Sequence, residues 1–284
     1  MLKPTINKPL EPRFDWYQAT VKFDENELFQ VLEPLTREFD YVVEKPKLKN
    51  YAECYRMGGV GGSLMVHLGG VNGRDHGPNV QGTGPLSPRV AELLRASDVP
   101  HSVGRADVCI DFLGDFDDCH LAFVNRCNEA GMGSKDVGSS KGSVMQLGRT
   151  VYGGSVTSAY RPCCYEKGIQ LGEGYPINFI RLEHRFMFSK AADKQMLSKL
   201  TPVEMCGLRP VSRDLTETLA GLSVAPYKLN NLPKVKDWYH WMLEAYGRHI
   251  REMEADLGSP AAFGYQVMYD LNEKAIKERM RSTH

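Results

Sequence analysis

The sequence lacks the features that mark membrane proteins and strongly basic proteins. No apolar run approaches the roughly 18 residues that span a bilayer, and the first residues, Met1–Pro4, carry no apolar signal-peptide core. We therefore expect a chain without membrane contact that stays in the cytoplasm. The formal net charge is zero, so the chain has no overall basic character of the kind that draws proteins to nucleic acids. Charge is nonetheless uneven, with eight Lys/Arg against four Asp/Glu from Ser134 to Lys190.

Common metal, disulfide and nucleotide motifs are also missing. The seven cysteines are odd in number and never spaced C-x-x-C, which argues against a disulfide framework or a zinc site and favours small buried side chains. The glycine-rich stretch Gly58–Ser63 lacks the G-K-[ST] ending of a phosphate loop. It predicts a hairpin turn or a mobile loop between two strands.

What is present is an ordinary globular composition, 42% hydrophobic and 25% charged, arranged as two halves with the same order of elements. Each half reads as strand, helix, strands, helix. In the first half a helix is predicted to start with Ser87 as N-cap, after a loop from Gly69 to Leu86. The order predicts an α+β fold in which two pseudo-repeated halves share one curved antiparallel sheet with helices on one face. Residues 1–200 form this domain.

The remaining residues, 201–284, are predicted to form a separate C-terminal helical region. Apolar residues at helical spacing indicate a hairpin of two helices from Lys234 to about Arg281, reached through the Leu232-Pro233 linker. We interpret this hairpin as a packing or dimerisation element, and in the second case the protein would be a homodimer. Its basic residues are also available for DNA recognition.

One strand, Arg105–Phe112, places carboxylates where they are unfavourable. Strand side chains alternate between faces, so Asp107 and Asp111 share one face with Arg105 and Cys109, opposite an apolar face. Aspartate has a poor strand propensity. A cationic partner, open solvent or a bound metal must compensate for these two charges.

Two further strands repeat this division into a polar and an apolar face. The polar face of Phe179–Met187 carries Arg181, Glu183 and Arg185, and that of Tyr160–Lys167 carries Arg161, Cys163, Tyr165 and Lys167. If the polar faces align, three carboxylates and five bases surround one tyrosine hydroxyl. The carboxylates of Asp107, Asp111 and Glu183 would suit Mg²⁺ or Mn²⁺. The more ordinary interpretation of Tyr165 is an amphipathic surface residue.

Four segments together resemble a known family. In order along the chain they are R-A-D-V-C-I-D-F (105–112), T-V-Y-G-G-S-V-T-S (150–158), Y-R-P-C-C-Y-E-K-G (160–168) and F-I-R-L-E-H-R-F (179–186). The set is similar to the replication initiation factor family (Rep_trans type) of phage and plasmid rolling-circle initiators. The opening F-D-W-Y-Q-A-T-V (14–21) fits the same family, so the resemblance covers roughly residues 14–190.

The resemblance implies a metal-dependent nick at a replication origin. A tyrosine would form a 5′-phosphotyrosyl intermediate and leave a free 3′-hydroxyl. The tyrosine of the family's Y-[DE]-K segment matches Tyr165, with Tyr160 as a nearby rival. Its acidic strand positions match Asp107, Asp111 and Glu183. Partners would be origin DNA, duplex and single-stranded, and a host helicase.

From the residues alone, roles in catalysis are predicted for Arg161 and Lys167 and in DNA binding for Arg105, Arg181 and Arg185. Pro162 lacks a backbone N–H, which predicts an edge strand or a bulge around it. The alternative function is a non-catalytic DNA-binding regulator of replication or transcription. Against that alternative, carboxylates on the binding face would repel DNA unless a metal intervened.

Overall fold

A computed structural model describes residues 9–22, 25–46, 48–59, 61–71, 77–97, 99–138 and 148–227. The chain divides into two compact units, Met1–Tyr227 and Lys228–His284. The predicted hairpin from Lys234 to Arg281 lies outside the described residues, and the predicted domain boundary at residue 200 stays a prediction. None of the described helices combines the length and apolarity needed to cross a bilayer.

Ten strands form one antiparallel sheet in the order β2-β3-β4-β5-β1-β6-β10-β9-β8-β7. The strands of the first half are β1 (Arg13–Val21), β2 (Tyr41–Glu44), β3 (Tyr51–Gly59), β4 (Gly62–Gly70) and β5 (Asn79–Thr83). Those of the second half are β6 (His101–Leu113), β7 (Ser134–Val137), β8 (Thr150–Gly153), β9 (Tyr160–Glu166) and β10 (Phe179–Met187).

Seven helices accompany these strands in the described part of the chain. They are α1 (Glu25–Thr36), α2 (Leu86–Ala96), α3 (Phe116–Glu129), α4 (Lys167–Leu171), α5 (Ala191–Lys199), α6 (Pro202–Cys206) and α7 (Pro210–Ala220). Helix α3 has a side-chain cap, because Asp115 accepts hydrogen bonds from the backbone N–H groups of Asp117 and Asp118.

The two halves repeat the same topology about the centre of the sheet. Strands β1 and β6 pair with each other. Outward from β1 the order is β5, β4, β3 and β2, and outward from β6 it is β10, β9, β8 and β7. Each half therefore places its last strand beside its first. The α+β fold with a shared antiparallel sheet is confirmed.

The apolar side chains of the central strands and the helices form one core. Ala106, Val108, Ile110 and Phe112 of β6 are buried in it, as the alternation of the sequence predicts. Helix α5 packs against β6, α2 against β1, β4 and β5, and α3 against β8 and β9. This packing leaves the other side chains of β6, β9 and β10 on the opposite face, which we call the polar face.

Several local predictions are corrected. The predicted loop Gly69–Leu86 contains strand β5, and α2 begins at Leu86, so Ser87 is not its N-cap. The edge strand predicted from Pro162 is also wrong, because β9 lies between β8 and β10. The last residue pair between β8 and β9 is Tyr152 with Cys163. Pro162, which has no backbone N–H to donate, lies just beyond this pair and interrupts no pairing with β8.

A candidate active site on the polar face

The predicted site residues lie on the polar face of three adjacent strands. Rows of directly opposed residues cross β6, β10 and β9 in the order Asp111–Arg181–Tyr165, Cys109–Glu183–Cys163 and Asp107–Arg185–Arg161. Lys167 opens helix α4 directly after β9, and its ammonium nitrogen lies 5.7 Å from the centroid of the Tyr165 ring. The register of β6, β10 and β9 therefore aligns their polar faces, as the alternation of side chains in the sequence predicts.

A β-bulge in β1 adds Asp15, a residue that alternation did not predict. The pairing of β1 with β6 shifts between Phe14 and Trp16, so the strict period of two is broken there. The Asp15 carboxylate accepts a hydrogen bond of 2.7 Å from the Arg181 guanidinium. The bulge thus supplies a fourth carboxylate at this site.

Arg181 anchors the first of two charge clusters. Its guanidinium donates two hydrogen bonds to Asp111, of 2.6 and 2.8 Å, in addition to the one to Asp15, and Arg13 also pairs with Asp111. Burial is the largest single influence and would raise the pKa of Asp111, but the hydrogen bonds and charges of Arg181 and Arg13 together outweigh it, so the pKa is lowered. Arg181 is only 5% exposed, so its predicted contact with DNA is not supported by its placement.

Asp107 and Glu183 form the second cluster. Arg105 donates a 3.0 Å hydrogen bond to Asp107, and Arg185 donates one of 2.6 Å to Glu183. Both carboxylates are buried. Burial raises the pKa of Asp107 to about 7, and the charge of Glu183 adds to the increase. Burial therefore disfavours the charged form of Asp107 even beside Arg105.

The Asp107 carboxyl gives stability an unusual dependence on pH. Its pKa of about 7 in the folded protein exceeds the value of about 3.9 expected for an unfolded chain. The folded state thus binds the extra proton between about pH 4 and pH 7, and this group's contribution to stability falls as pH rises through that window.

The unfolding free energy of the unmodified protein is compared with that of Asp107→Asn. We expect the difference between them to fall by about 1.4 kcal/mol or more as the pH rises from about 5 to 8. That free energy corresponds to a difference of one pKa unit between the folded and unfolded states. Urea denaturation of both proteins measures it, and the comparison cancels the titrating groups that do not interact with Asp107. A difference that is flat across this range would mean that Asp107 titrates as an ordinary aspartate.

Tyr165 reaches the second cluster with its hydroxyl. That hydroxyl donates a 3.2 Å hydrogen bond to Glu183, while its side chain stays partly exposed on the polar face. Burial, followed by the charge of Glu183, raises the pKa of Tyr165 far above its ordinary value. The phenol is therefore protonated at neutral pH, and Glu183 is positioned to accept its proton.

The rival tyrosine, Tyr160, lies on the opposite face of the same strand. It is 4% exposed, and its hydroxyl hydrogen-bonds the Nδ1 atom of His184 at 2.8 Å. The His184 Nε2 atom in turn bonds Thr216 of α7 at 2.9 Å, and burial lowers the pKa of His184 to about 3. Tyr160 thus belongs to a buried network that ties α7 to the sheet, and DNA could reach it only if the core opened.

Sequence reasoning assigned no role to Tyr152 of β8, although its segment was among the family motifs. Its ring contacts two arginines of the polar face: the guanidinium carbon of Arg161 lies 4.1 Å from the ring centroid and that of Arg185 lies 5.3 Å away. Alternation in the short strand Thr150–Gly153 was the available signal, since it places Thr150 and Tyr152 on one face.

The carboxylates fit a divalent cation only in part. Among the described residues, no group of three His, Cys, Asp or Glu side chains is close enough to hold a metal ion. Asp111 binds Arg181 through both oxygens. Asp107 and Glu183 remain as two buried carboxyl groups, the hard oxygen donors that Mg²⁺ and Mn²⁺ prefer. The predicted three-residue site is thus reduced to a two-residue candidate.

Comparisons with known proteins support the fold. No family profile and no curated protein sequence matches the chain. Among solved structures, a rolling circle replication initiator protein from Geobacillus stearothermophilus is similar, with a TM-score of 0.51 and 17% sequence identity. The similarity covers 77% of this chain and 99% of that structure. At this identity the match establishes a shared fold.

Proposed function

We propose that the chain initiates rolling-circle replication by cutting one DNA strand with Tyr165 as nucleophile. The observation that carries the proposal is the hydrogen bond from the Tyr165 hydroxyl to the buried Glu183 carboxylate, on a sheet face that also carries several arginines. The fold shared with a rolling circle replication initiator supports it. We propose origin DNA as its partner in a host cytoplasm, with a host helicase to open the duplex and a homodimer as the assembly.

The reaction balances with the groups at hand. The Tyr165 oxygen attacks the phosphorus of a phosphodiester as Glu183 takes the phenolic proton. A bond between the Tyr165 oxygen and phosphorus forms, the bond from phosphorus to the 3′-oxygen breaks, and that oxygen takes a proton from solvent. The products are a 5′-phosphotyrosyl protein and a free 3′-hydroxyl, and the reverse reaction rejoins the strand.

Two cations on the same face as Tyr165 are available for the substrate's negative charge. Arg105, Arg181 and Arg185 each pair with a carboxylate. Among the described residues, no carboxylate lies within ion-pair distance of Lys167 or Arg161. Lys167 donates a hydrogen bond to Gln170, and burial lowers its pKa. We propose that Lys167, against the Tyr165 ring, stabilises the charge that develops on the attacked phosphate.

Asp107 and Glu183 would hold a Mg²⁺ or Mn²⁺ ion. When bound, the ion would polarise a phosphoryl oxygen and favour ionisation of the nucleophile. These buried carboxylates also weigh against the alternative, a regulator that binds DNA without cutting it, since on a purely phosphate-binding face they would only repel DNA.

Covalent capture of DNA tests the proposal. A random-sequence pool of single-stranded oligonucleotides, labelled at the 3′ end, should give a labelled protein band under denaturing conditions when Mg²⁺ or Mn²⁺ is added. Chelation of the metal should abolish the band. A pool labelled at the 5′ end should label no protein, because the 5′ fragment leaves with the free 3′-hydroxyl. Binding without any adduct would favour the non-catalytic regulator.

A further inference from the structure

The ring of Tyr152 organises two arginines of the polar face. Tyr152 comes from β8, Arg161 from β9 and Arg185 from β10, so three neighbouring strands contribute. Both guanidinium groups lie within about 6 Å of the ring centroid, the range of an attractive cation–π contact. The stack limits the orientations that the long Arg161 side chain can adopt.

Arg161 is the member of this stack with unused binding capacity. Arg185 pairs with Glu183, whereas within the described chain no carboxylate pairs with Arg161. The Arg161 Nε atom is buried and has no hydrogen-bond partner in that part of the chain. A buried guanidinium donor left without an acceptor is costly, and an incoming anion would satisfy it.

A second stack on the same face serves as a comparison. Arg105 lies 4.1 Å from the centroid of the Trp16 ring, the same separation as in the Arg161–Tyr152 contact. The Arg105 guanidinium, however, is already bound to Asp107. Two stacks with the same distance between guanidinium and ring thus differ in whether the arginine charge is neutralised.

The position of Arg161 relative to Tyr165 limits what the anion can be. Arg161 and Tyr165 lie on one face of β9, four residues apart, so their Cα atoms are separated by about 13 Å. At that distance Arg161 suits a phosphate a few nucleotides along the strand from the one that Tyr165 attacks. Arg185 lies directly opposite Arg161 on β10, so the two guanidinium groups meet at the Tyr152 ring.

We propose that Tyr152, Arg161 and Arg185 form a binding site for a backbone phosphate of single-stranded DNA that flanks the cut. Arg161 donates its free N–H groups to the phosphate oxygens. Tyr152 is a positioning residue that acts through Arg161, holding the guanidinium plane so that two parallel hydrogen bonds can form. The proposal rests on the proposed function for the identity of the flanking strand.

Equilibrium binding of a labelled random-sequence single strand, measured by fluorescence anisotropy over a range of salt, tests this site apart from cleavage. Tyr152→Ala and Arg161→Ala should each raise Kd about tenfold and lower the slope of log K against log salt by about 0.7, the value of one lost phosphate contact. Tyr152→Phe, which keeps the ring, should bind like the unmodified protein. The double variant with both alanines should be no weaker than Arg161→Ala alone.

Trp16→Ala is the matched control, because it removes the ring of the stack whose arginine is neutralised. Its salt slope should not change. Arg161→Lys, which keeps the charge but loses the planar group, should bind more weakly than the unmodified protein. A Tyr152→Phe protein as weak as Tyr152→Ala, or alanine variants with an unchanged salt slope, would overturn the site. If these binding effects occur but no covalent adduct ever forms, the nicking function fails while the phosphate site stands.

Discussion

Tyr165→Phe should abolish the covalent DNA adduct, with a loss of at least about a thousandfold, as when other enzymes lose their nucleophile. The substitution removes only the oxygen that attacks phosphorus and donates a hydrogen bond to Glu183. The ring and its contact with Lys167 remain. Single-stranded DNA should therefore bind with nearly unchanged affinity. The adduct assay and anisotropy on the same preparation measure both quantities.

Tyr160→Phe is the matched control for this prediction. It removes a hydroxyl from the same strand, but one that faces the core and bonds His184. Its adduct yield should equal that of the unmodified protein, while its unfolding free energy should fall by about 1–3 kcal/mol, because the buried His184 nitrogen loses its partner. An adduct that survives in Tyr165→Phe and disappears in Tyr160→Phe would reverse the assignment.

The alternation of side chains along β9 was sufficient to predict from the sequence that the two tyrosines lie on opposite faces. Tyr160 and Tyr165 are five residues apart, so a regular strand must place them on opposite faces. The choice was left open because Pro162 was interpreted as a sign of a bulge. In the structure the pairing of β9 with β10 continues in register past Pro162, opposite His184, and parity holds.

Alternation fails where the strand itself is irregular. A strict period of two from Phe14 would place Asp15 with Tyr17, which is buried in the core. The bulge between Phe14 and Trp16 moves Asp15 to Arg181 instead. This bulge depends on the pairing of β1 with β6, a strand more than 80 residues away. No local pattern in the sequence of β1 therefore predicts it.

Strands β2, β5 and β7 were not predicted from the sequence, and β5 and β7 share a different physical cause. Strand β5 is the short, polar and glycine-containing N-V-Q-G-T, and β7 is fully exposed along its length. Neither carries an apolar alternation, because their positions are set by pairing with β1, β4 and β8 rather than by their own side chains. Strands β6 and β10 were predictable from the sequence, because in each of them apolar side chains on one face alternate with charged side chains on the other.

The repeated halves share a topology but differ in the chemistry of the polar face. In the first half, beyond the bulge that holds Asp15, β1 and β5 carry neutral side chains there: Gln18 opposite Gln81 and Thr20 opposite Asn79. In the second half the equivalent pairing of β6 with β10 joins Asp111 to Arg181 and Asp107 to Arg185. Apart from Arg13 and Asp15 of β1, the charged side chains of this cluster come from the second half, which concentrates the proposed reaction beside β9.

Arg181→Met should cause the largest loss of stability among single changes at this site. Arg181 donates to Asp111 and Asp15, and its replacement leaves the buried Asp111 carboxylate with Arg13 as its remaining described partner. Removing one partner of a buried ion pair typically costs about 3–5 kcal/mol. Urea denaturation at about pH 7 measures the change in unfolding free energy. Arg89→Met, at the exposed pair of Arg89 with Glu38, should cost about 1 kcal/mol or less.

The pH dependence of the unfolding free energy tests whether the charge of Asp111 causes the stability loss in Arg181→Met. In the unmodified protein the pKa of Asp111 is lowered, so this group stabilises the fold above its unfolded pKa and loses that contribution as pH falls. Without Arg181, burial should raise the pKa of Asp111 instead. The deficit of Arg181→Met should then shrink as pH falls towards about 4, where the carboxyl becomes protonated. Adding Asp111→Asn should recover part of the loss at pH 7. A deficit that is equal at both pH values and unrelieved in the double variant would mean that Arg181 stabilises the sheet by packing and not by its charge.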